Sequence, residues 1–573
     1  MTRFDRRDGV YLAAAALGIG GVVIAGDAYA LRIASLVGIY AIAAIGYQLV
    51  FGRLGLLSLA QGAFFGLGAY ASALLTVSAG LPVPVGLAAA VVVPALAAAV
   101  IALPIARLES HYVALATLGL AQLALLAATN LEFTGGANGI YGVPPIVTNS
   151  ITIGPLDVGS VTIAALVVPG GWVTLISVWF GVLAALLVAR AVTRGDRSAV
   201  LATLDNAPHA AAALGLNGTT ARLVLFAVAG GLGGLAGGLQ AHGLGVVSPA
   251  VVGFEVMVTI LAIAVIGGRG SPVGAVLGAA LLIPLPEVFR FLEGSYLIAY
   301  GVVLLAAIIL MPRGLDGWLR DWFPRRAPAV PAPRQSTSKR PGKPLVVQGL
   351  VKRFGGLTAV DGVSFSVPAG TVVGLIGANG SGKTTTLNLI SGLERPDAGQ
   401  IRLGGEPLFE RPAHHRRELG LARSFQHPEF PTGLFVLEVA AVAAKDRAVA
   451  MAALGRVGLA DRATSLVSAL GAAELRRLDL ARALAAEPGA LILDEPAAGL
   501  TAEERAALAV LLRDLATAGL AVLVVDHGMD FLLPLSDRIV CLEAGKVIAS
   551  GPPETVRQNP AVIAAYLGSG AAA

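Results

Sequence analysis

Long apolar runs follow one another through the first 322 residues and restrict how this part of the chain can fold. We place ten candidate membrane spans near residues 10–26, 31–50, 56–78, 84–105, 112–129, 172–192, 223–241, 255–267, 273–291 and 296–311. Inside a bilayer the backbone polar groups must bond to one another, so runs of this length form helices. The eighth run is short, and we interpret it as part of a broken or re-entrant element. The sequence therefore predicts a polytopic all-α membrane domain of about ten spans over residues 1–322.

The composition supports a membrane protein. Of the 573 residues 56% are hydrophobic and 13% are charged, which excludes an ordinary soluble protein. The single cysteine, Cys541, excludes a disulfide framework and a cysteine-based metal site. The net charge of +5 is concentrated in residues 323–344, which contain six basic residues and no acid. This distribution argues against a nucleic-acid partner and predicts a linker that lies on anionic membrane lipids.

The arginines predict the orientation of the spans, because positive charge accumulates in cytoplasmic turns. Arg3, Arg6 and Arg7 place the N-terminus in the cytoplasm, and residues 130–170, which contain no Lys or Arg, fall outside. The other cytoplasmic turns contain Arg53, Arg107, Arg190, Arg194, Arg197, Arg269 and Arg313, with Arg32 and Arg290 as exceptions. We expect a multi-pass protein of the cell (inner) membrane whose N-terminus and C-terminal third are both cytoplasmic.

A proline-rich segment divides the chain. Residues 323–344 have no apolar periodicity and predict a semi-extended tether. After it, short β-branched strands alternate with amphipathic helices, as in an α/β domain. We therefore expect a membrane domain over 1–322, a basic linker over 323–344 and an α/β domain over 345–573.

A glycine-rich loop in the α/β domain predicts a nucleotide site. An apolar strand over 372–376 leads into GxxxxGK[ST], in the expected strand–loop–helix setting. Backbone N–H groups of such a loop surround phosphates, the lysine reaches the β/γ-phosphates and the following hydroxyl ligates Mg²⁺. The predicted ATP-binding residues here are Gly377, Ala378, Asn379, Gly380, Ser381, Gly382, Lys383, Thr384 and Thr385.

Two further apolar strands end in residues suited to phosphate chemistry. The strand over 490–493 ends in Asp494, placed to hold Mg²⁺, and Glu495, placed to polarise the attacking water as general base. The strand over 522–525 delivers His527 to the ligand edge of a parallel sheet, where it can contact the γ-phosphate. The remaining histidines form no metal spacing.

With these motifs in place, residues 345–568 resemble the ATPase subunits of ABC transporters, specifically those of branched-chain amino-acid importers. The stretches that carry the resemblance are KRFGGLTAVDGVSF (352–365), GANGSGKTT (377–385), LARSFQ (421–426), LARAL (480–484), LILDEPAAGLT (491–501), VVDHGMDFLLPLSDRI (524–539) and the ending at 545–568. The resemblance implies that Phe354 stacks on adenine. It also implies that Gln426 begins a loop that touches Mg²⁺ or water and faces the membrane domain.

The membrane domain is similar to the permease subunits of the same importers, in the stretches at 52–75, 112–126, 134–145 and 265–282. Related permeases carry urea, amides and other small solutes. The segment 199–222 resembles the short coupling helix that docks on the ATPase; an ordinary turn between spans is the alternative.

One motif departs from the family. ABC ATPases work in pairs, and each nucleotide also meets the partner's LSGGQ signature. Here the aligned residues are Leu470, Gly471, Ala472, Ala473 and Glu474. The serine and the second glycine are replaced, and Glu474 would bring a carboxylate near a phosphate. We expect this chain to pair with a second ATPase whose signature is intact.

The resemblance implies ATP-driven import of small solutes, most readily branched-chain or hydrophobic amino acids, by a permease fused to an ATPase. The implied cofactors are ATP and Mg²⁺. The implied partners are a second permease, a second ATPase and an external solute-binding protein. The alternatives are an importer of urea, amides or another small solute, an ABC exporter, and a regulatory ABC protein without a transport cycle.

Overall fold

The computed structural model describes residues 27–105, 108, 110–147, 150–153, 156–158, 161–163, 166–291, 296–322, 327–333, 341–431 and 433–567. The chain forms two compact units. The first comprises 1–194 and 219–325, and the second comprises 195–218 and 326–573. The predicted span at 10–26, Arg3, Arg6 and Arg7 lie outside the described residues. So does much of the linker, of which 327–333 and 341–344 contain neither helix nor strand.

The first unit is built mainly from helices. They are α1 (Ala28–Tyr47), α2 (Gln61–Ala73), α3 (Val83–Ile105), α4 (Ser110–Asn130), α5 (Gly170–Thr193), α8 (Gly218–Leu244), α9 (Phe254–Gly267), α10 (Pro272–Leu282), α11 (Leu285–Val288), α12 (Tyr296–Leu310) and α13 (Gly314–Trp322). Helices α1 and α2 each continue into a π-helical turn, Gln48–Gly52 and Leu74–Ser78. Short 3₁₀ turns lie at Glu132–Thr134, Gly136–Asn138 and Pro249–Val252.

Short strands in the first unit pair antiparallel. They are β1 (Ile140–Tyr141) with β6 (Val246–Val247), β2 (Ser150–Ile153) with β5 (Leu166–Pro169), and β3 (Leu156–Val158) with β4 (Val161–Ile163). All but β6 fall within the segment 130–170 that the arginine distribution places outside.

Five helices in the described part of the chain are long and apolar enough to cross a membrane: Ala28–Gly52, Val83–Ile105, His111–Asn130, Gly170–Thr193 and Gly218–Leu244. A sixth candidate is the bent pair Phe254–Gly267 and Pro272–Val288, whose two parts meet at 116°. Two other predicted spans form shorter helices, α2 with 13 residues and α12 with 15. The described residues therefore contain fewer full-length spans than the predicted ten.

The bend agrees with the interpretation of the eighth run as a broken or re-entrant element. Gly268 and Gly270 have φ of +104° and +78°, values that other residues rarely adopt. The side chain of Ser271 then accepts a hydrogen bond from the Gly274 N–H and caps α10, whose first residue is Pro272. The local sequence thus ends one helix and starts the next.

Small residues let the helices of the first unit approach closely. A Cβ at Gly234 on α8 would overlap the Ala90 carbonyl on α3, and one at Gly237 would overlap the Phe65 carbonyl on α2. The buried Gln61 amide donates to the carbonyls of Ala43 (3.1 Å) and Ala229 (3.0 Å) and so joins three helices. Close backbone contact and buried polar bonds are the interactions available between helices in lipid.

The second unit includes α6 (Asp196–Asn206) and α7 (Pro208–Ala213) from the loop between α5 and α8. Its remaining helices are α14 (Lys383–Ser391), α15 (Ala413–Glu418), α16 (Val436–Ala441), α17 (Arg447–Arg456), α18 (Ala472–Ala485), α19 (Ala502–Thr517), α20 (Met529–Leu535), α21 (Pro553–Arg557) and α22 (Pro560–Leu567). Short 3₁₀ turns lie at Ala460–Arg462 and Val467–Ala469.

Two sheets form the body of this unit. One is antiparallel, in the order β11-β10-β7-β8, built from β7 (Leu345–Phe354), β8 (Leu357–Val367), β10 (Ala398–Leu403) and β11 (Glu406–Pro407). The other has the order β12-β13-β14-β9-β15-β16, built from β9 (Val372–Gly377), β12 (Leu421–Arg423), β13 (Ala490–Asp494), β14 (Ala521–Val525), β15 (Arg538–Glu543) and β16 (Lys546–Gly551).

The central strands of the second sheet are parallel, and β9, β13 and β14 are buried along their whole length. Strands covered on both faces are apolar throughout rather than alternating, as these three sequences are. Because they run in the same direction, their carboxyl ends share one edge of the sheet. The glycine-rich loop, Asp494–Glu495 and Asp526–His527 are therefore brought to the same edge.

Candidate nucleotide site

The loop between β9 and α14 needs its glycines. Gly377, Gly380 and Gly382 have φ of +153°, +80° and +97°. A Cβ at Gly377 would overlap the Leu542 carbonyl, and one at Gly382 would lie 2.5 Å from the Ala359 carbonyl. The loop can therefore expose its N–H groups only without side chains at these positions.

The other predicted loop residues surround this turn. Ala378 and Asn379 are exposed, whereas Ser381 is buried. Thr384 and Thr385 lie in the first turn of α14, which begins at Lys383. Thr384 is exposed and lies at the positive end of the helix.

The side chain of Lys383 folds back into the glycine-rich loop. This side chain is buried, and its ammonium donates to the carbonyls of Gly377 (2.7 Å) and Ala378 (2.9 Å). Burial lowers the pKa of this lysine, while the charges of Glu495 and Asp494 act in the opposite direction. The ammonium is thus held at the centre of the loop, where the phosphates of a nucleotide would meet it.

Asp494 forms a buried ion pair that we did not predict. Its Oδ2 lies 3.1 Å from Nη2 of Arg423, and both side chains are almost fully buried. Arg423 also donates through Nη1 to Asn388 (2.7 Å) and Ser391 (2.8 Å) on α14. Burial raises the pKa of Asp494, and Arg423 is the group that opposes this shift most. The arginine therefore helps Asp494 to stay ionised and ties it to the helix of the glycine-rich loop.

The donor set at this edge suits Mg²⁺, which prefers carboxylate, hydroxyl and amide oxygens. Asp494, Thr384 and Gln426 provide one of each. No three His, Cys, Asp or Glu side chains in the described residues form a metal cluster. Mg²⁺ is commonly bound by one or two protein ligands together with phosphates of the substrate, which three donors at a nucleotide site would suit.

The three predicted catalytic residues contact one another. Glu495 accepts through Oε2 from Gln426 Nε2 (2.7 Å), and its Oε1 lies 2.8 Å from His527 Nε2. Glu495 has a positive φ of +48°, and its N–H donates to the Val525 carbonyl at 2.7 Å. A non-glycine residue in this region is uncommon and is found at functional sites held by their surroundings. Each carboxylate oxygen of Glu495 thus has one side-chain partner in this structure.

Asp526 positions His527 and is a second residue that sequence reasoning missed. It is buried, and its carboxylate accepts from the N–H groups of Ala497 (3.2 Å) and Gly528 (2.9 Å). These bonds join the turn that carries His527 to the segment after Glu495. The available signal was an acid at the end of a fully apolar strand, the same signal that drew attention to Asp494.

Phe354 lies at the end of β7 and is 45% exposed. The ammonium of Lys352 lies 5.2 Å from the ring centroid. An exposed aromatic face is what stacking on adenine requires, and the described contacts leave the role of Phe354 a prediction.

The aligned signature segment forms the start of α18, and Glu474 is turned back onto it. Its carboxylate accepts from the Gly471 N–H (3.0 Å) and from Arg462 Nε (3.0 Å). The Gly471 bond and then Arg462 lower the pKa of Glu474, so the carboxylate stays ionised. The N–H group of Gly471 is therefore already bonded within the chain.

Comparison with known proteins decides the family. Residues 29–312 match the family described as the permease component of the branched-chain amino acid transport system. Residues 360–498 match the ABC transporter family, and residues 546–572 match the family described as branched-chain amino acid ATP-binding cassette transporter. The high-affinity branched-chain amino acid transport ATP-binding protein LivG of Salmonella typhimurium is 38% identical over 250 residues, which cover 39% of this chain and 97% of that protein. The chain belongs to the branched-chain amino-acid ABC transporter family.

Other relatives share the ATPase region. BraF of Pseudomonas aeruginosa, a high-affinity branched-chain amino acid transport ATP-binding protein, is 38% identical over 39% of this chain and 97% of its own length. The Nod factor export ATP-binding protein I of Burkholderia orbicola is 37% identical over 38% of this chain and 73% of its own length. Among solved structures, the ADP conformation of the cassette MJ1267 covers 39% of this chain and 99% of that chain, with 26% identity and a TM-score of 0.37.

In this ABC transporter chain a permease component and an ATP-hydrolysing cassette are joined. The predicted fold class, a helical membrane domain followed by an α/β ABC ATPase, is confirmed. The chain is a membrane protein with a cytoplasmic ATPase domain that binds ATP. Its ATPase couples hydrolysis to transport across the membrane.

The loop between α5 and α8 of the transporter docks on the ATPase. Ala199 and Leu214 belong to the same hydrophobic core as Val436 and Leu437. At the edge of this contact, Oδ1 of Asp196 lies 3.0 Å from Nη2 of Arg447. An ordinary solvated turn would not be buried in this way, so the structure favours the coupling interpretation.

Gly215 lies at the end of the docked loop, with φ of +84°. A Cβ at this position would lie 2.5 Å from Cδ of Arg417, which donates to the Ala443 carbonyl. The contact therefore depends on the absence of a side chain at residue 215.

Proposed function

We propose that the chain is the fused permease–ATPase component of an importer for branched-chain or other hydrophobic amino acids. The observation that carries this proposal is the presence, in one chain, of a permease of the branched-chain amino-acid type over 29–312 and a LivG-like cassette. The cassette alone does not decide the direction of transport, because the Nod factor export protein is almost as similar to it. The permease match favours import of amino acids over import of urea or amides, and over export.

The residues at the sheet edge divide the chemistry between them. N–H groups of residues 377–385 and the Lys383 ammonium bind the phosphates, and Phe354 stacks on adenine. Thr384, Asp494 and Gln426 hold Mg²⁺, which when bound neutralises charge on the phosphates. Glu495 polarises the attacking water, and His527 contacts the γ-phosphate.

The contacts of Glu495 reduce its basicity until they open. Its oxygens are bonded to Gln426 and His527 at 2.7 and 2.8 Å, and each such bond stabilises the carboxylate and weakens it as a proton acceptor for water. We infer that binding of the nucleotide draws Gln426 towards Mg²⁺ and His527 towards the γ-phosphate. The carboxylate then becomes a better proton acceptor when substrate is in place.

The signature segment supports an unequal ATPase pair. A sound signature presents a serine hydroxyl and free N–H groups to the partner's nucleotide. Here residue 471 is glycine, residue 473 is alanine, and the Gly471 N–H is bonded to Glu474. We propose that a second ATPase supplies the intact signature, alongside a second permease and an external solute-binding protein.

The proposed location is the cell (inner) membrane, with the N-terminus in the cytoplasm and the basic linker against membrane lipids. We propose domain boundaries at 322–323 and 344–345, with the loop at 195–218 acting on the ATPase although it precedes the linker. Closing of the ATPase pair would move α5 and α8 through this loop, and hydrolysis would reset them.

Uptake of labelled leucine into proteoliposomes tests the proposal. The chain is reconstituted with a second permease, a second ATPase and a solute-binding protein of the branched-chain amino-acid type. We expect ATP-dependent accumulation on the side of the ATPase only when the binding protein is on the opposite side. Movement away from the ATPase side would identify an exporter. ATP hydrolysis that is indifferent to leucine and the binding protein would favour a regulatory protein.

A further inference from the structure

A cavity of about 320 Å³ lies beside the catalytic residues of the second unit. It is bounded by α18, by α19 and by residues 493–496 of the Asp494–Glu495 segment. Helix α19 lines it with Glu504, Leu508 and Leu511, which share one face of the helix at spacings of four and three. The walls are mostly apolar, and the volume is in the range of small-molecule sites.

Three guanidinium groups border this cavity, those of Arg456, Arg476 and Arg477. None of them forms a hydrogen bond or ion pair with any residue that the structure describes, although Arg477 lowers the pKa of Glu474 through space. The Nε of Arg477 is buried and lacks a partner within the described chain. Such donors are costly to leave unsatisfied, so this side of the cavity suits an anion.

The acids that border the cavity form no ion pair with these arginines among the described residues. Asp479 accepts from the Phe425 N–H (2.8 Å) and pairs with Arg482, and Asp494 pairs with Arg423. Glu504 accepts from the Thr501 N–H (3.1 Å), and Glu495 is bonded to Gln426 and His527. Because the two aspartates are paired elsewhere, three arginines face two carboxylates, and the cavity combines apolar walls with an excess of positive charge.

We propose that this cavity binds a small branched aliphatic carboxylate and that the occupant inhibits the ATPase. A carboxylate accepts paired hydrogen bonds from a guanidinium, and an aliphatic tail of leucine size would be removed from water by Leu508 and Leu511. A branched-chain amino acid and its 2-oxo acid share this chemistry. The choice of this ligand class rests on the proposed function, and inhibition would then be exerted by accumulated cargo or its first deaminated product.

The position of the cavity explains why an occupant would inhibit. Phe425 and Glu495 both line it, and Phe425 directly precedes Gln426. An occupant packed against them would stabilise the arrangement in which Gln426 is bonded to Glu495. A ligand shifts an equilibrium towards the arrangement that it binds better. Glu495 would consequently be less available to water, and turnover would fall.

Calorimetry on the full chain in lipid nanodiscs tests the site, with 4-methylpentanoate as probe and 4-methylpentanamide as its uncharged match. We expect the carboxylate to bind and the amide to bind at least about tenfold more weakly. The double variant R456Q/R477Q should lose affinity by a similar factor. R505Q, which removes a guanidinium from α19 outside the cavity lining, should not. Equal binding of acid and amide, or unchanged binding by R456Q/R477Q, would overturn the proposal.

Leucine and 4-methyl-2-oxopentanoate are titrated in parallel to distinguish the two sources. Binding of either or both supports the site and names its ligand, and binding of neither overturns it. L508W should fill the cavity and abolish carboxylate binding while a fluorescent ATP analogue still binds, which shows that the domain is folded. If L508W binds both the carboxylate and the ATP analogue, the cavity is not the site.

Inhibition is measured as ATP turnover of the reconstituted complex. The concentration of carboxylate that halves turnover should equal the dissociation constant found by calorimetry. In R456Q/R477Q this concentration should be about tenfold higher. Binding without inhibition would overturn the regulatory part of the proposal. Because calorimetry needs no transport, failed leucine uptake with intact binding would count against the proposed function alone. Failed binding with intact uptake would count against this site alone.

Discussion

Gln426 donates a hydrogen bond of 2.7 Å to Glu495, a residue 69 positions away in the chain. The same carboxylate lies 2.8 Å from His527. Each of these bonds makes the carboxylate a weaker proton acceptor for water, so we expect this arrangement to be a resting state. Opening of these two contacts is what we expect ATP to bring about.

Replacing Glu495 with glutamine should leave ATP binding intact and slow hydrolysis by about 10²–10⁴-fold, because the general base is lost while the phosphate contacts remain. Nucleotide binding and phosphate release are measured on the same preparation. E503Q provides the control, since Glu503 is exposed in the first turn of α19. Unchanged phosphate release by E495Q would show that another group is the base.

Replacing Arg423 with glutamine should destabilise the ATPase domain by about 3–5 kcal/mol, because Asp494 would be left as a buried charge without its partner. R402Q is the matched control, since the side chain of Arg402 is exposed and bonds only to Gln400 among the described residues. Thermal unfolding of the full chain compares the two variants. If R423Q loses no more stability than R402Q does, the stabilising role of the ion pair between Arg423 and Asp494 is contradicted.

The same variant predicts a shift in pH dependence. Burial raises the pKa of Asp494 and Arg423 opposes this, so removal of the arginine raises that pKa further. At a given acidic pH a smaller fraction of Asp494 is then ionised. The acid limb of the rate of Mg²⁺-dependent hydrolysis should move to higher pH in R423Q. A shift to lower pH, or none, would show that Asp494 does not control this limb.

Repairing the signature tests the unequal pair. The quadruple variant G471S/A472G/A473G/E474Q restores the full LSGGQ sequence and removes the carboxylate. ATP turnover of the chain without a partner ATPase should rise at least about tenfold, since a single transition-state donor is worth more than that. E474Q alone should raise ATP turnover only slightly, because the serine hydroxyl is still missing. Strong turnover by the unmodified chain alone would contradict the need for a partner.

The docked loop offers a matched pair of glycines. Gly215 and Gly195 both have positive φ, +84° and +62°. A Cβ at Gly215 would press on Arg417, whereas one at Gly195 would meet no atom within 4 Å among the described residues. G215A should therefore reduce leucine uptake more than G195A does, because both substitutions place an alanine at a positive φ but only the Cβ at residue 215 meets a neighbouring side chain. Equal uptake by the two variants would argue against a coupling role for this contact.

Part of the site could be predicted because parallel strands end at one edge. Three apolar runs followed by a glycine-rich loop, Asp494–Glu495 and Asp526–His527 were enough to place these residues together. The pair between Arg423 and Asp494 could not be predicted, because it joins residues 71 positions apart whose side-chain directions depend on packing. The hydrogen bond between the Glu474 carboxylate and the Gly471 N–H could not be predicted either, because it depends on the side-chain rotamer of Glu474 and on the position of Arg462.

The membrane domain was less predictable than the cassette. Apolar runs indicated helices, but length alone did not distinguish a full span from α2 or α12. The bend of 116° between α9 and α10 has a local signal in Gly268, Gly270 and Pro272. Contacts such as those of Gly234 and Gly237 depend on which helices are neighbours, which one sequence does not specify.

Leucine transport by the reconstituted complex tests the central claim most directly. The chain, a second permease, a second ATPase and the solute-binding protein are placed in proteoliposomes with the ATPase facing the lumen, which contains ATP and Mg²⁺. We predict that labelled leucine accumulates inside when the binding protein is outside, and that E495Q abolishes this accumulation. If leucine loaded inside is instead expelled only when the lumen contains ATP, the account is contradicted.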